Sequence, residues 1–191
     1  MPLQIAIVAV IAVVVLLVVA RSMRIAAEWQ RAVVLRLGRF HKVKGPGIYL
    51  VFPVIDRVAQ VVDLRIHTTT ITAEQALTRD TVAVGVDAIV FWQVDDAQAA
   101  AVNIANYQEA IERVSQTSLR EMIGATELSR LLSDRKAADE ELRRTISEKT
   151  RNWGVVARSV EIKDVAIPRE LQDAMSRQAQ AEREKDARVT L

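Results

Sequence analysis

Thr81–Val94 reads TVAVGVDAIVFWQV, and its even positions (Val82, Val84, Val86, Ala88, Val90, Trp92 and Val94) are all apolar. Side chains on a strand alternate between faces, so this spacing predicts one long strand with an unbroken apolar face. The polar run before it, EQALTRD at 74–80, suits a hairpin loop. Upstream, Val58–Ala73 with TTTIT at 68–72 favours extended backbone. Further upstream, AVVLRL closes Glu28–Leu37 as a short strand, and Gly38-Arg39 suits a turn. Gly45-Pro46-Gly47 marks a stronger turn before the apolar run IYLVFPVI at 48–55. The half of the chain up to residue 94 is therefore expected to be mainly antiparallel β.

Helical periodicity takes over after Val94. Asp95 and Asp96 are N-cap candidates for the Ala-rich stretch to Val102. Tyr107, Ile111, Val114, Ser118 and Met122 share one face of a helix that Gly124 is placed to end. Ser133 or Asp134 suits the cap of the next helix. Ala138, Leu142, Ile146 and Trp153 form its inward face, Asp139, Glu140, Glu141, Arg143 and Arg144 its solvated face, and Gly154 its end. Val155–Ile167 returns to strand, and Pro168 suits the first turn of a last, long helix. The fold class is α+β. The expected divisions are a membrane anchor at 1–24, a mainly β domain at 25–94, an α/β domain at 95–167 and the start of an assembly helix at 168–191.

The N-terminus sets the cellular context. Leu3–Ala20, LQIAIVAVIAVVVLLVVA, has Gln4 as its only polar side chain. As a helix its ~18 residues reach roughly 27 Å, about one bilayer hydrocarbon core. This predicts a single transmembrane helix. A cleaved signal peptide is the main rival, yet no basic residue precedes the run, and Arg21 and Arg24 follow it where a small-residue cleavage site would lie. Arg21–Lys44 carries seven basic residues against the single acid Glu28, a local +6 in a chain of net +2. Positive charge beside an apolar span favours an anionic lipid surface. Because the run abuts the apolar span, lipid is read as a better partner than nucleic acid. The positive-inside rule puts the globular part in the cytoplasm, on a single-pass inner-membrane protein.

Catalytic patterns are absent. There is no Cys, and no P-loop, GxGxxG, HExxH or GxSxG motif. The two histidines, His41 and His67, read as ordinary surface or hairpin residues with no acidic cluster at ligand spacing. Ser147 and Lys149 lie two apart on a helix and face different ways. No enzyme activity, cofactor or metal is expected.

The last helix differs from the others. Beyond Leu171 and Met175 it is Ala-rich with balanced charges. One reading is a solvated tail. The other is lateral packing against copies of itself, with Arg183, Lys185 and Arg188 of one subunit meeting Glu182, Glu184 and Asp186 of the next.

Several stretches together resemble a prokaryotic stomatin (slipin) of the SPFH, or band 7, group, which also includes the prohibitins. They are RAVVLRLGRF at 31–40, GPGIYLVFPVID at 45–56, DLR at 63–65, ALTRDTVAVGVDAIVFWQV at 76–94, TSLREMIGATELSRLLSDR at 117–135 and WGVVARSVEIKDVAIPRELQDAMSRQAQAEREKDARV at 153–189. The resemblance implies a membrane-anchored scaffold that assembles into large homo-oligomeric rings or cages, organises a patch of membrane and regulates membrane proteins. An accessory regulator that binds a membrane protease or channel is the alternative, and an NfeD-type membrane protein is an implied partner. Slipins usually continue with more helix and an apolar tail, whereas the sequence here stops at Leu191. The resemblance also implies that the first domain docks on the membrane. Ile48, Tyr49, Leu50, Val51 and Phe52, beside Arg21 and Arg24, are then the candidate contact, with Tyr49 and Phe52 at the interface. A buried strand is the competing reading of the same residues.

Overall fold

The computed structural model describes residues 12–13, 16–17, 20–169, 172–173 and 176–177. In chain order its elements are β1 (Met23–Ala26), β2 (Gln30–Arg36), β3 (Arg39–Lys44), β4 (Gly47–Leu50), β5 (Asp56–Asp63), β6 (His67–Leu77) and β7 (Ala83–Val94). Then come helices α1 (Ala97–Val102), α2 (Tyr107–Ala125), α3 (Leu128–Ser133) and α4 (Arg135–Thr150), a 3-10 turn (Arg151–Trp153) and β8 (Val155–Ala166). The α+β class is as expected from the sequence. The described positions around it, Ala12, Val13, Leu16, Leu17, Ala20–Ser22, Arg169, Gln172, Asp173, Ser176 and Arg177, are helical. Most of the expected anchor Leu3–Ala20 lies outside the described residues, and among the described residues no helix is long and apolar enough to cross a membrane.

Two compact units are distinguished. One takes the chain up to His67 together with Trp92–Gln108 and Thr150–Val156; the other takes Thr68–Phe91, Glu109–Lys149 and the chain from Ala157 onward. In the first unit β1 and β4 form a two-stranded antiparallel ribbon, and β3-β2-β5 an antiparallel sheet. The central strand β2 buries Ala32, Val33 and Val34 completely. Helix α1 lies against this sheet. Its N-cap is Asp96, whose carboxylate accepts from the Gln98 and Ala99 amides at 2.9 and 3.1 Å, as the sequence predicts. Gly154 is obligatory here. Its φ is +68°, and a Cβ would lie 2.4 Å from the Asp96 carbonyl oxygen.

The second unit is built around most of the sheet β6-β7-β8, of which His67, Trp92–Val94 and Val155–Val156 are assigned to the first. On β7, all of Val84, Val86, Ala88, Val90, Trp92 and Val94 are buried, the alternation expected from TVAVGVDAIVFWQV. Helix α2 buries Ile111, Ser115, Ser118, Leu119, Met122 and Ile123, and α4 buries Ala138, Leu142 and Ile146. Asp134 caps α4 by accepting from the Ala137 amide at 3.3 Å.

Four local expectations are corrected. EQALTRD is not all loop: β6 runs to Leu77, and only the stretch after it turns. The tight turn is closed by Thr78, whose Oγ1 donates to Asp80 at 2.6 Å and accepts from the Val82 amide at 3.1 Å. Helix α2 ends at Ala125, one residue past Gly124. Trp153 is only half-buried and sits in the 3-10 turn rather than on α4. His67 is half-buried, not a surface residue: its ring stacks on Trp92 at 4.8 Å between centroids, and Trp92 meets Tyr107 edge-on at 6.0 Å.

Candidate membrane-facing surface

The ribbon follows from two short segments, MRIA and GIYL, brought into register by the turn at Gly45-Pro46-Gly47. Gly47 has φ +92°, a conformation glycine adopts without strain. Met23 pairs with Leu50, Arg24 with Tyr49 and Ile25 with Ile48. Directly opposed residues share a face, and successive residues alternate. One face is therefore wholly apolar: Met23, Ile25, Ile48 and Leu50. It is also open, with Ile25 79% and Ile48 68% exposed. Leaving such side chains in water forgoes about 1.5–3 kcal/mol each relative to full burial. The other face carries Arg24 and Tyr49.

The chain leaving β4 extends the apolar surface. Phe52, Val54 and Ile55 are exposed, Val54 at 89%. This tip is held, not loose. The Val51 amide donates to the Ser22 carbonyl at 2.8 Å, and the Ile55 and Asp56 amides donate to the Phe52 carbonyl at 3.1 and 2.8 Å. The Leu37 amide donates to the Ile55 carbonyl at 2.9 Å, which sets exposed Leu37 beside the tip. Beneath it, Arg36 grips Asp56 in a bidentate pair, Nε to Oδ1 at 2.7 Å and NH2 to Oδ2 at 3.1 Å. The hydrogen bond from Arg36 is the main reason that the Asp56 carboxyl lies below the usual carboxylate range; its burial opposes this, and the Phe52 amide adds to the lowering.

Residues 24–190 match the SPFH domain / Band 7 family. The chain belongs to that family. A stomatin homologue of Pyrococcus horikoshii is 41% identical over 177 residues, 93% of this chain and 66% of that protein. An uncharacterised protein of Archaeoglobus fulgidus is 38% identical over 177 residues, 93% of this chain and 71% of its own length. Stomatin of Mus musculus is 38% identical over 168 residues, 87% of this chain and 59% of that protein. The chain thus spans just under two thirds of the Pyrococcus relative. The Band 7 match begins at Arg24, inside β1, so the ribbon belongs to the family region from its second residue.

The seven candidate contact residues, all but Arg21 inside the Band 7 match, divide by face. Ile48, Leu50 and Phe52 are exposed. Tyr49 is half-buried and Val51 buried, and both line a groove on the opposite side together with Arg21 and Arg24. Val54 and Ile55, in the apolar run 48–55 that the sequence offers as a membrane contact, are exposed on the same surface, whereas the sequence reading missed Met23, Ile25 and Leu37 there, and Arg57 as part of the groove. Met23 and Ile25 carried a signal, since both are apolar two apart, but MRIA is too short to stand out as a strand. The expected assembly residues Glu182, Arg183, Glu184, Lys185, Asp186 and Arg188 lie outside the described residues. Among the described residues no group of three His, Asp or Glu side chains is placed to hold a metal ion.

Proposed function

We propose that this chain is a membrane-anchored SPFH scaffold whose β1–β4 ribbon rests in the bilayer interface. The observation that carries the reading is the open apolar face of Met23, Ile25, Ile48 and Leu50, which starts one residue after a helical stretch continuing the apolar N-terminal run. An anchor that crosses the bilayer once through Leu3–Ala20 brings the ribbon to the surface by chain continuity alone. The apolar side chains then leave water, as in an interfacial element. The basic residues Arg21 and Arg24 favour the cytoplasmic side. Copies of the chain join laterally through the helix from Pro168, forming a ring or cage that organises a membrane microdomain and regulates enclosed membrane proteins. An NfeD-type protein or a membrane protease is the kind of client this reading admits.

The absence of cysteine gives a clean test. Single-cysteine variants Ile48→Cys, Leu50→Cys and, as an exposed control on α2 of the second unit, Glu112→Cys are labelled with an environment-sensitive fluorophore. The full chain is then reconstituted in phosphatidylcholine nanodiscs with and without a lipid-borne quencher. Labels at 48 and 50 are expected to be quenched and the label at 112 to stay bright. Equal brightness at all three positions would reject the contact.

A further inference from the structure

Behind the apolar face, the ribbon walls a groove of about 410 Å³. Arg21, Arg24 and Arg57 line it, together with Tyr49 and apolar residues such as Val61. None of these arginines has a carboxylate partner among the described residues. Asp56, the one acid lining the groove, has both carboxylate oxygens engaged by Arg36. The groove therefore keeps an unneutralised positive charge, held by side chains suited to bidentate hydrogen bonding of phosphate oxygens.

We infer that this groove binds the phosphate of an anionic phospholipid headgroup. The inference rests on the interfacial placement of the ribbon proposed above. That placement sets the groove at headgroup depth, because its arginines stand on the opposite side of a single two-stranded layer from side chains in the acyl boundary. The phosphate meets Arg21, Arg24 and Arg57, the Tyr49 hydroxyl is a further donor, and the apolar wall faces the glycerol and upper acyl carbons. A free inorganic phosphate offers the same oxygens but nothing for the wall. The lipid is thus the better occupant.

The test uses the full chain in nanodiscs of mixed phosphatidylcholine and phosphatidylglycerol. The lipid retained by the protein after transfer to detergent is identified by mass spectrometry. The parent is expected to retain phosphatidylglycerol about tenfold over its share: both lipids carry the phosphate, but phosphatidylcholine brings a quaternary ammonium beside three unneutralised arginines, a like-charge repulsion large enough for that discrimination. Arg24→Gln with Arg57→Gln should bring retention to parity. Arg39→Gln with Lys42→Gln removes the same charge from exposed β3 and should leave the enrichment intact. An equal loss in this control would show general surface charge and overturn the site. Tighter binding of inorganic phosphate than of phosphatidylglycerol in a competition at the groove would overturn the lipid as occupant. The Leu50→Cys label in the same nanodiscs separates the two readings. Quenching without phosphatidylglycerol enrichment rejects only the headgroup site, and loss of quenching rejects the interfacial ribbon itself.

Discussion

Strand β7 and the β1–β4 ribbon follow the same rule with opposite outcomes. Both place apolar side chains at every second position. On β7 that face, from Val84 to Val94, is wholly buried; on the ribbon, Met23, Ile25, Ile48 and Leu50 are exposed. Alternation thus tells which residues share a face, but not what covers it. An apolar face with no protein above it among the described residues calls for some other cover, and in a Band 7 chain that carries an apolar N-terminal segment the bilayer is the economical candidate.

The comparison breaks most sharply on charge. Val86→Asp puts a carboxylate at a fully buried position with no partner, at a cost of at least about 4 kcal/mol. That is comparable with the whole stability of many domains. The variant should be recovered unfolded or aggregated, as seen by circular dichroism and size exclusion. If it folds with native stability, β7 is not core. A smaller effect is expected at the base of the tip. Asp56 has a lowered carboxyl pKa in the folded chain, so its pairing with Arg36 stabilises the fold above the ordinary aspartate range. That contribution fades as pH falls through the lowered folded value. Asp56→Asn should therefore be less stable than the parent near neutral pH, and the gap should narrow on acidification. Denaturant titrations across that range read it directly. The smallest effect belongs to the ribbon: Ile48→Asp with Leu50→Asp should move stability in detergent by no more than about 1 kcal/mol, while abolishing the interfacial contact. A large stability loss there would mean that the exposed face is covered by protein after all.

Much of the fold was legible because β7, α2 and α4 are long enough for their periods to repeat. What escaped has identifiable causes. Strand β3, RFHKVK, is exposed or half-buried along its length and shows no buried face. Strand β6 hides its extent because Gln75, at φ +51°, shifts the alternation so that Ala73 and Ala76, not Ala73 and Gln75, are buried. Helix α3 has only six residues and no side-chain hydrogen bond at its N-cap, Glu127. The two units exchange chain at His67/Thr68, Phe91/Trp92 and later points that carry no Gly- or Pro-rich linker. At the candidate site the apolar run 48–55 was visible as a run, but its division into an outer face and a groove wall depends on the pairing with β1. Arg57 joins Arg21 and Arg24 only through that tertiary arrangement.

The join between the N-terminal helical residues and β1 has a mechanical consequence. Helix ends at Ser22 and strand begins at Met23, with the Ser22 carbonyl also tied to Val51. No loop residue separates the two elements. A spanning helix that tilts to match a thinner or thicker bilayer would act as a lever on the ribbon and rotate it with the tilt. Bilayer thickness would then reach the first unit as torque, transmitted through the Ser22–Met23 peptide link and the hydrogen bond from Val51 to Ser22.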